Sequence, residues 1–407
     1  MIRWTAHLLT EHIGGGTGDH ERVRTLGVEE ELLVVDPSGT PVPLGPEALR
    51  VAALRGEGQT VEDHDRAERN GSADEGLDED PVAHLVPELK EQQIELGTRV
   101  CTTLTEVAAE LRYWRSRADA AASSVGARVA ALATAPVPVR PVPTTGARYQ
   151  QMLETFGLTA MEQLVCGCHV HVGVTDEEEG VAVLDRIRVW LPVLTALTAN
   201  SPFWLGEDSR YASFRSQAWS RWPSAGPTGT FGSPAVYHQV LDQLLATGTV
   251  LDQGMVYFDA RLSATWPTVE VRVADVALRV PDAVLLTGLV RGLVETAARD
   301  WRAGRPAPDV RTEVLRVAAW RAGRSGLSGD LVDPRTGAPA PAAVVVAALV
   351  DQVRAALTHS GDLAEVERGV AEVFRRGTGA DLQRRVFAET GDLAAVVRAA
   401  VAATHEA

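Results

Sequence analysis

Lysine is almost absent from this 407-residue chain. Of its 39 basic residues only Lys90 is a lysine; the rest are arginine. With abundant Ala, Val and Gly, this bias reads as the coding preference of a GC-rich genome, so most arginines carry no message of their own. Any phosphate or carboxylate recognition must nonetheless fall almost entirely to Arg, whose planar fork can bind such groups bidentately. Cysteine is scarce too. Cys101, Cys166 and Cys168 are odd in number and too few for a disulfide framework. Basic charge is outweighed by 54 acidic residues, leaving a net charge of -15 and a pI near 5.2. Phosphate neutralisation needs basic patches, so this balance argues against nucleic acid as the main partner. The N-terminus, Met1-Ile2-Arg3-Trp4-Thr5-Ala6-His7, lacks an apolar signal core. No apolar run reaches the ~18 residues that span a bilayer. A reduced, cytoplasmic location away from membranes is the expectation.

What is present reads as globular: 45% hydrophobic and 23% charged. Residues 1–24 form a polar extension with Gly14-Gly15-Gly16-Thr17-Gly18. No Gly-Lys-Ser/Thr follows, so it is not a P-loop. A strand at 26–35 ends in the turn signal Asp36-Pro37-Ser38-Gly39. Residues 56–80 are strongly acidic and read as a solvated loop; a flap over the active site is the second reading. Residues 98–124 have the pattern of an amphipathic helix with Thr98 as N-cap. A strand at 128–133 leads into the stiff Pro136–Pro143 link. A strand at 164–174 precedes a helix at about 177–199. Residues 200–235, rich in Trp, Pro, Gly and Arg, form a loop long enough to suggest function. Strands near 255–273 follow. Helices are then expected at about 281–303, 309–323, 341–358, 362–376, 380–390 and 392–403. Their apolar faces suit packing on a sheet or on a neighbouring subunit, so a homo-oligomer is one arrangement they allow.

Three strand-like runs place acidic and histidine side chains at alternate positions: Val28-Glu29-Glu30-Glu31-Leu32, Cys168-His169-Val170-His171-Val172 and Val269-Glu270-Val271-Arg272-Val273. Strand side chains alternate between faces. Glu29 therefore shares a face with Glu31, His169 with His171, and Glu270 with Arg272. Carboxylates inside a strand are costly unless paired or bound to a cation. An edge strand protected by charge would explain Glu29-Glu30-Glu31, but apolar flanks of both parities favour a covered strand. Glu30 points away from the other two. Hard oxygen donors suit Mg²⁺ or Mn²⁺. Parity sets Cys166 and Cys168 opposite the histidines, which argues against a zinc site. Glu88 and Glu95 reach one site only if a bulge or break separates them. Asp259 and Arg261 share parity and suggest a second acid–arginine pair. Arg215 and Arg221, in the Trp-rich loop, are candidate anion contacts.

Together these segments resemble the carboxylate-amine ligase group of the glutamate–cysteine ligase type 2 family. The matching stretches run in family order: Thr25-Leu26-Gly27-Val28-Glu29-Glu30-Glu31-Leu32, Glu88-Leu89 with Glu95, Arg148-Tyr149, the Cys-His-Val-His-Val-Gly strand, Tyr211-Ala212-Ser213-Phe214-Arg215-Ser216, and Asp259-Ala260-Arg261 through Glu270-Val271-Arg272. Arg210 and Phe214 stand where the family more often has Gly and Tyr.

The resemblance implies an α+β, glutamine synthetase-like fold, with a curved, mainly antiparallel sheet, a helical layer and a helical C-terminal region from about 281. Residues 25–407 would form a single catalytic domain. It implies ATP and Mg²⁺ (or Mn²⁺) as cofactors, and a small-molecule carboxylic acid and an amine as substrates. Glu29, Glu31, Glu88, Glu95, His169 or His171, and Glu270 would be the metal set. Arg272 would contact the transferred phosphate, with Arg215 and Arg261 beside it, and Arg221 and Arg148 on the cofactor side. The implied chemistry is amide formation through an acyl phosphate, with glutamate–cysteine ligase activity among the outcomes. Alternative readings are a metal-dependent hydrolase, a phosphotransferase on the same carboxylate and histidine site, and a binding protein without turnover.

Overall fold

The computed structural model describes residues 23–70 and 85–406. The glycine-rich extension and the 71–80 part of the acidic stretch lie outside the described residues. The remainder of that stretch is not plain loop, because Val61–Asn70 is a helix.

The strands are β1 (Leu26–Val35), β2 (Leu85–Pro87), β3 (Gln93–Gly97), β4 (Arg128–Ala130), β5 (Gly167–Gly173), β6 (Phe203–Trp204), β7 (Glu207–Asp208), β8 (Ala260–Leu262), β9 (Thr268–Asp275), and β10 (Asp330–Val332) with β11 (Pro339–Pro341), which pair with each other. The main sheet has the order β2-β3-β1-β5-β9-β8, with β4 pairing with β1 beyond the end of β5. Every pairing in it is antiparallel. β6 and β7 form a small ribbon inside the 200–235 loop. The expected α+β architecture is therefore the one found.

β1 runs through the middle of the sheet. Leu32 to Val35 are fully buried, as both-parity apolar residues should be in a strand covered on two sides. Helices Leu104–Ser123 and Val280–Arg302 pack behind β1, and Leu191–Leu197 packs behind β9. The first of these starts later than the sequence suggests. Thr103 is its N-cap, in a capping box with Glu106. Thr98 instead accepts from the Val28 N–H at 3.0 Å and finishes the edge of the β1–β3 pair. The helix expected over 177–199 is two helices, Glu177–Ile187 and Leu191–Leu197. Pro192 explains the break, since it cannot donate to the preceding turn.

All six C-terminal helices are found: Val280–Arg302, Thr312–Ser325, Ala342–Ser360, Leu363–Arg376, Gly379–Thr390 and Leu393–Thr404. Gly361 (φ 79°) and Gly391 (φ 64°) end two of them in the left-handed conformation that glycine adopts without strain. Ala342–Ser360 is long and apolar enough, by length and composition, to cross a bilayer. Here it is a core helix: Val353 and Leu357 close on Gly292 of Val280–Arg302, where a Cβ would meet the Val353 Cβ at 3.0 Å.

Candidate active site

The register of the sheet gathers the alternating acids and histidines into one patch. Glu31 lies opposite Glu95. Glu29 lies opposite His169. Glu270 lies between His171 on one side and Arg261 on the other. Such directly opposed residues bring their Cβ atoms to about 4.5–5.5 Å. Glu88 follows β2 at the turn into β3, so the break between Glu88 and Glu95 is the turn of a hairpin. Donor atoms of Glu29, His171 and Glu270 come within 4.8 Å of one another, and so do those of Glu31, Glu88 and Glu95. His169 stands between these triads. Its Nδ1 is 3.2 Å from Glu29 and 4.0 Å from Glu270, and its Nε2 is 4.0 Å from Glu31. Glu30 points to the back of the sheet, where Arg115 clamps both its oxygens at 2.7 Å.

The electrostatics of the two triads differ. Burial and the neighbouring Glu88 charge push Glu31 up to about 7. Burial with the Glu29 and Glu88 charges holds Glu95 well above the usual carboxylate range. Three carboxylates this close cannot all ionise cheaply without a cation. In the other triad burial opposes charge but is overcome. His171 and His169 hold Glu29 low, and Arg272 and Arg261 hold Glu270 low. Burial lowers His171, and Glu29 more than offsets it, so that ring is raised. Burial and Arg272 lower His169 to about 4. The His169 Nε2 is buried without a hydrogen-bond partner, and the buried His171 Nε2 stands 3.3 Å from the Glu29 carboxylate, outside hydrogen-bond geometry. Imidazole nitrogens turned toward crowded carboxylates are a donor set that a divalent cation fits.

The arginines separate. Arg272 pairs with Glu270 on its own strand and stands 6.0 Å from the Tyr257 ring. Arg261 also pairs with Glu270 at 2.7 Å and donates to the carbonyls of Gly254 and Val256, both at 3.1 Å. The expected Asp259–Arg261 pair is therefore not formed, because cross-strand register brings Glu270 closer. Arg215 reaches the patch from a short helix, Arg215–Trp219, with its guanidinium against Gly167. A side chain at Gly167 would collide with it. Arg148 is held by Asp252 at 2.9 Å beside Tyr257. Arg221 is not gathered into the patch: it pairs with Glu162 at the surface, at 2.7 Å.

The three cysteines are free and buried. Cys168 faces the Glu30–Arg115 side, as parity requires. Cys166 does not follow the parity reading, because it precedes β5. Gln93 Nε2 donates to its sulfur at 3.5 Å, and burial and the Glu31 charge push its thiol up. The sequence reading missed the aromatic wall beside the patch, where Trp219 packs against Tyr257 at 4.8 Å with the rings tilted by 55° and Trp222 meets Tyr257 edge-on at 5.5 Å. Its one signal was the clustering of Trp in the loop and the Tyr257-Phe258 pair preceding Asp259.

The sequence model of glutamate-cysteine ligase family 2 matches residues 25–399. The chain belongs to that family. It is 51% identical over 385 residues to a candidate glutamate–cysteine ligase 2-1 of Paenarthrobacter aurescens (strain TC1), covering 94% of this chain and 95% of the relative. It is 49% identical to a candidate glutamate–cysteine ligase 2-1 of Streptomyces avermitilis, covering 94% and 100%. The fold is similar to that of the Francisella tularensis glutamate–cysteine ligase solved in complex with AMP (TM-score 0.63, 13% identity, 95% of this chain and 90% of that one). It is also similar to the bifunctional glutathione synthetase of Pasteurella multocida (TM-score 0.66, 14% identity, 94% and 52%). As a member of glutamate-cysteine ligase family 2, this chain is a ligase, and the patch on β1, β3, β5 and β9 is its candidate active site.

Proposed function

We propose that this ligase couples ATP cleavage to amide formation, joining a small carboxylic acid to an amine through an acyl phosphate, with L-glutamate and L-cysteine as one candidate pair. The observation that supports it most is the pair of donor triads on one sheet face with Arg272 beside them. Glu31, Glu88 and Glu95 offer hard oxygens suited to Mg²⁺. Glu29, His171 and Glu270 add an imidazole and suit Mg²⁺ or Mn²⁺. These two triads would hold divalent ions, which would supply neutralisation of the negative charge on a transferred phosphoryl group.

The chain's own contribution is positioning. Glu270 holds the Arg272 fork in place, so that it can bind the transferred phosphoryl group in fixed geometry. Arg261, tied to Glu270 and to backbone carbonyls, orients that carboxylate rather than touching substrate. His169, kept neutral by burial and Arg272, stands between the triads and donates or accepts a hydrogen bond. Buried surroundings exclude water from the acyl phosphate. The setting we propose is cytoplasmic.

The test is ADP release with Mg²⁺, ATP and pools of carboxylic acids and amines, with mass spectrometry of the products. ADP release that needs both an acid and an amine, with the matching amide mass, supports the reading. A stable phosphorylated product without amide, or hydrolysis without nucleotide, overturns it. Glu270→Gln should abolish turnover while the chain still folds, with a melting temperature lower by about 4–6 °C because Arg272 and Arg261 lose their carboxylate.

A further inference from the structure

Buried arginines in this fold have obvious partners. Arg115 is clamped on Glu30, Arg291 on Asp362, and Arg24 bonds Glu179 and Glu295. Arg188 donates to the carbonyls of Thr228 and Pro308. Arg215 is different. It is 2% exposed, and it forms no ion pair among the described residues. Its Nη2 makes one long bond, 3.5 Å, to the Arg272 carbonyl, and its buried Nε has no partner. Its charge is felt only at longer range by Glu31, Asp259 and Asp275. A buried cation left this open is costly and is satisfied by an incoming anion. Its guanidinium is also aimed: the Trp219 ring supports it at 5.4 Å.

What fixes that aim is a buried polar lattice at the end of β9, the strand that carries Glu270 and Arg272. Asp275 is fully buried. Its Oδ2 accepts from the Asn200 N–H at 2.8 Å and the Ser201 hydroxyl at 2.7 Å, and its Oδ1 accepts from the Ser213 hydroxyl at 2.8 Å. The Ser201 oxygen in turn accepts from the Arg215 N–H at 3.0 Å. The Asn200 amide donates to Ala131 and Val276, and Gln383 of the Gly379–Thr390 helix donates back to Asn200. A buried network in which every Asp275 oxygen and both ends of the Asn200 amide are engaged holds one geometry.

We propose that Asp275 is a positioning residue that acts through Arg215, holding this unpaired cation beside the acidic patch as the anchor for an oxyanion of the substrates. The oxyanion is either a carboxylate that does not react or the phosphoryl group, and this assignment of its source rests on the ligase reading above.

The test is a double-mutant cycle of Asp275→Asn, Arg215→Met and the pair, in the full chain. Two quantities are read. One is binding of L-glutamate and, separately, inorganic phosphate, followed by tryptophan emission, with Trp219→Phe assigning the signal. The other is kcat/KM for amide formation. Asp275→Asn should weaken anion binding about tenfold or more and lower kcat/KM by about 100-fold, the loss expected from a displacement of about 1 Å. The double variant should be no worse than Arg215→Met alone, because both changes act through one group. The anion whose binding falls more identifies the source. Unchanged affinity in Asp275→Asn, or an undiminished Asp275→Asn penalty on the Arg215→Met background, overturns the proposal; a merely structural role gives that second result. If Asp275→Asn does not fold, Ser213→Ala removes one of the three bonds and carries the same cycle. A wild-type chain that binds the anions but makes no amide sinks the ligase reading and leaves this inference standing.

Discussion

Replacing Arg115 by Met tests the back of the sheet, on which the front depends. Arg115 is 1% exposed and Glu30 is 0% exposed. The guanidinium holds both Glu30 oxygens at 2.7 Å and donates to the carbonyls of Ala277 at 2.6 Å and Leu278 at 3.2 Å. It also reaches Thr404 O in the last helix at 3.4 Å. Met fills similar volume but strands a buried carboxylate, which costs about 3–5 kcal/mol. At about 2.1 cal/mol/K per residue, a chain of this length unfolds with roughly 0.9 kcal/mol/K of entropy. The melting temperature should therefore fall by about 4–6 °C. Adding Glu30→Gln removes the stranded charge and should recover part of the loss. Calorimetry on the two single variants and the double measures both. A fall below about 1 °C for Arg115→Met would refute the reasoning, because the pair would then contribute almost nothing. Mn²⁺ binding on the same variants would show whether the Glu30 clamp also keeps Glu29 and Glu31 facing the patch.

Two further outcomes follow from the site. Burial and Glu88 raise Glu31 to about 7, and Glu95 lies higher still; metal uptake must displace those protons, so Mn²⁺ affinity should climb as pH rises from 6 to 8, with proton release. Over the same range the folded, ion-free chain holds more protons at these groups than the unfolded chain, so their contribution to its stability falls as pH rises; Mn²⁺ affinity that is flat with pH would count against the crowded triad. Arg221→Ala, which removes only a surface pair with Glu162, should leave kcat/KM within about twofold, since exposed pairs contribute about 0–1 kcal/mol; a large loss would bring Arg221 back into the site.

Much of the patch was legible because its information is local. Two residues of strand spacing suffice to say that Glu29 and Glu31, or His169 and His171, share a face. Ala- and Val-rich segments joined by short links were enough to locate all six C-terminal helices. Cross-strand information was not available in the same way. Parity put Asp259 and Arg261 on one side of a strand, yet the partner of Arg261 is Glu270, fixed by the register of β8 on β9. The separation of Glu88 from Glu95 required a break, and only the hairpin shows that its turn is that break. Parity also failed at Cys166, one residue before β5 begins, because alternation holds only inside a ladder.

The least legible parts are the buried polar ones away from the strands. Asn200, Ser201 and Ser213 are ordinary loop residues by type, and Asp275 closes a strand as many aspartates do. Their meaning comes from four chain segments meeting at one carboxylate and one amide, at 2.7–2.8 Å. Arg215 makes the contrast sharp. Its residue type and loop placement made it a candidate anion contact, on the same footing as Arg221. Burial without a partner is what separates the two: a surface arginine can be satisfied by water, whereas a buried one must find its acceptors in the fold or in a ligand. Within the described residues the fold provides Arg221 with Glu162 and leaves Arg215 open. That difference in desolvation, not any difference in sequence pattern, is the ground for placing Arg215 beside the chemistry and Arg221 outside it.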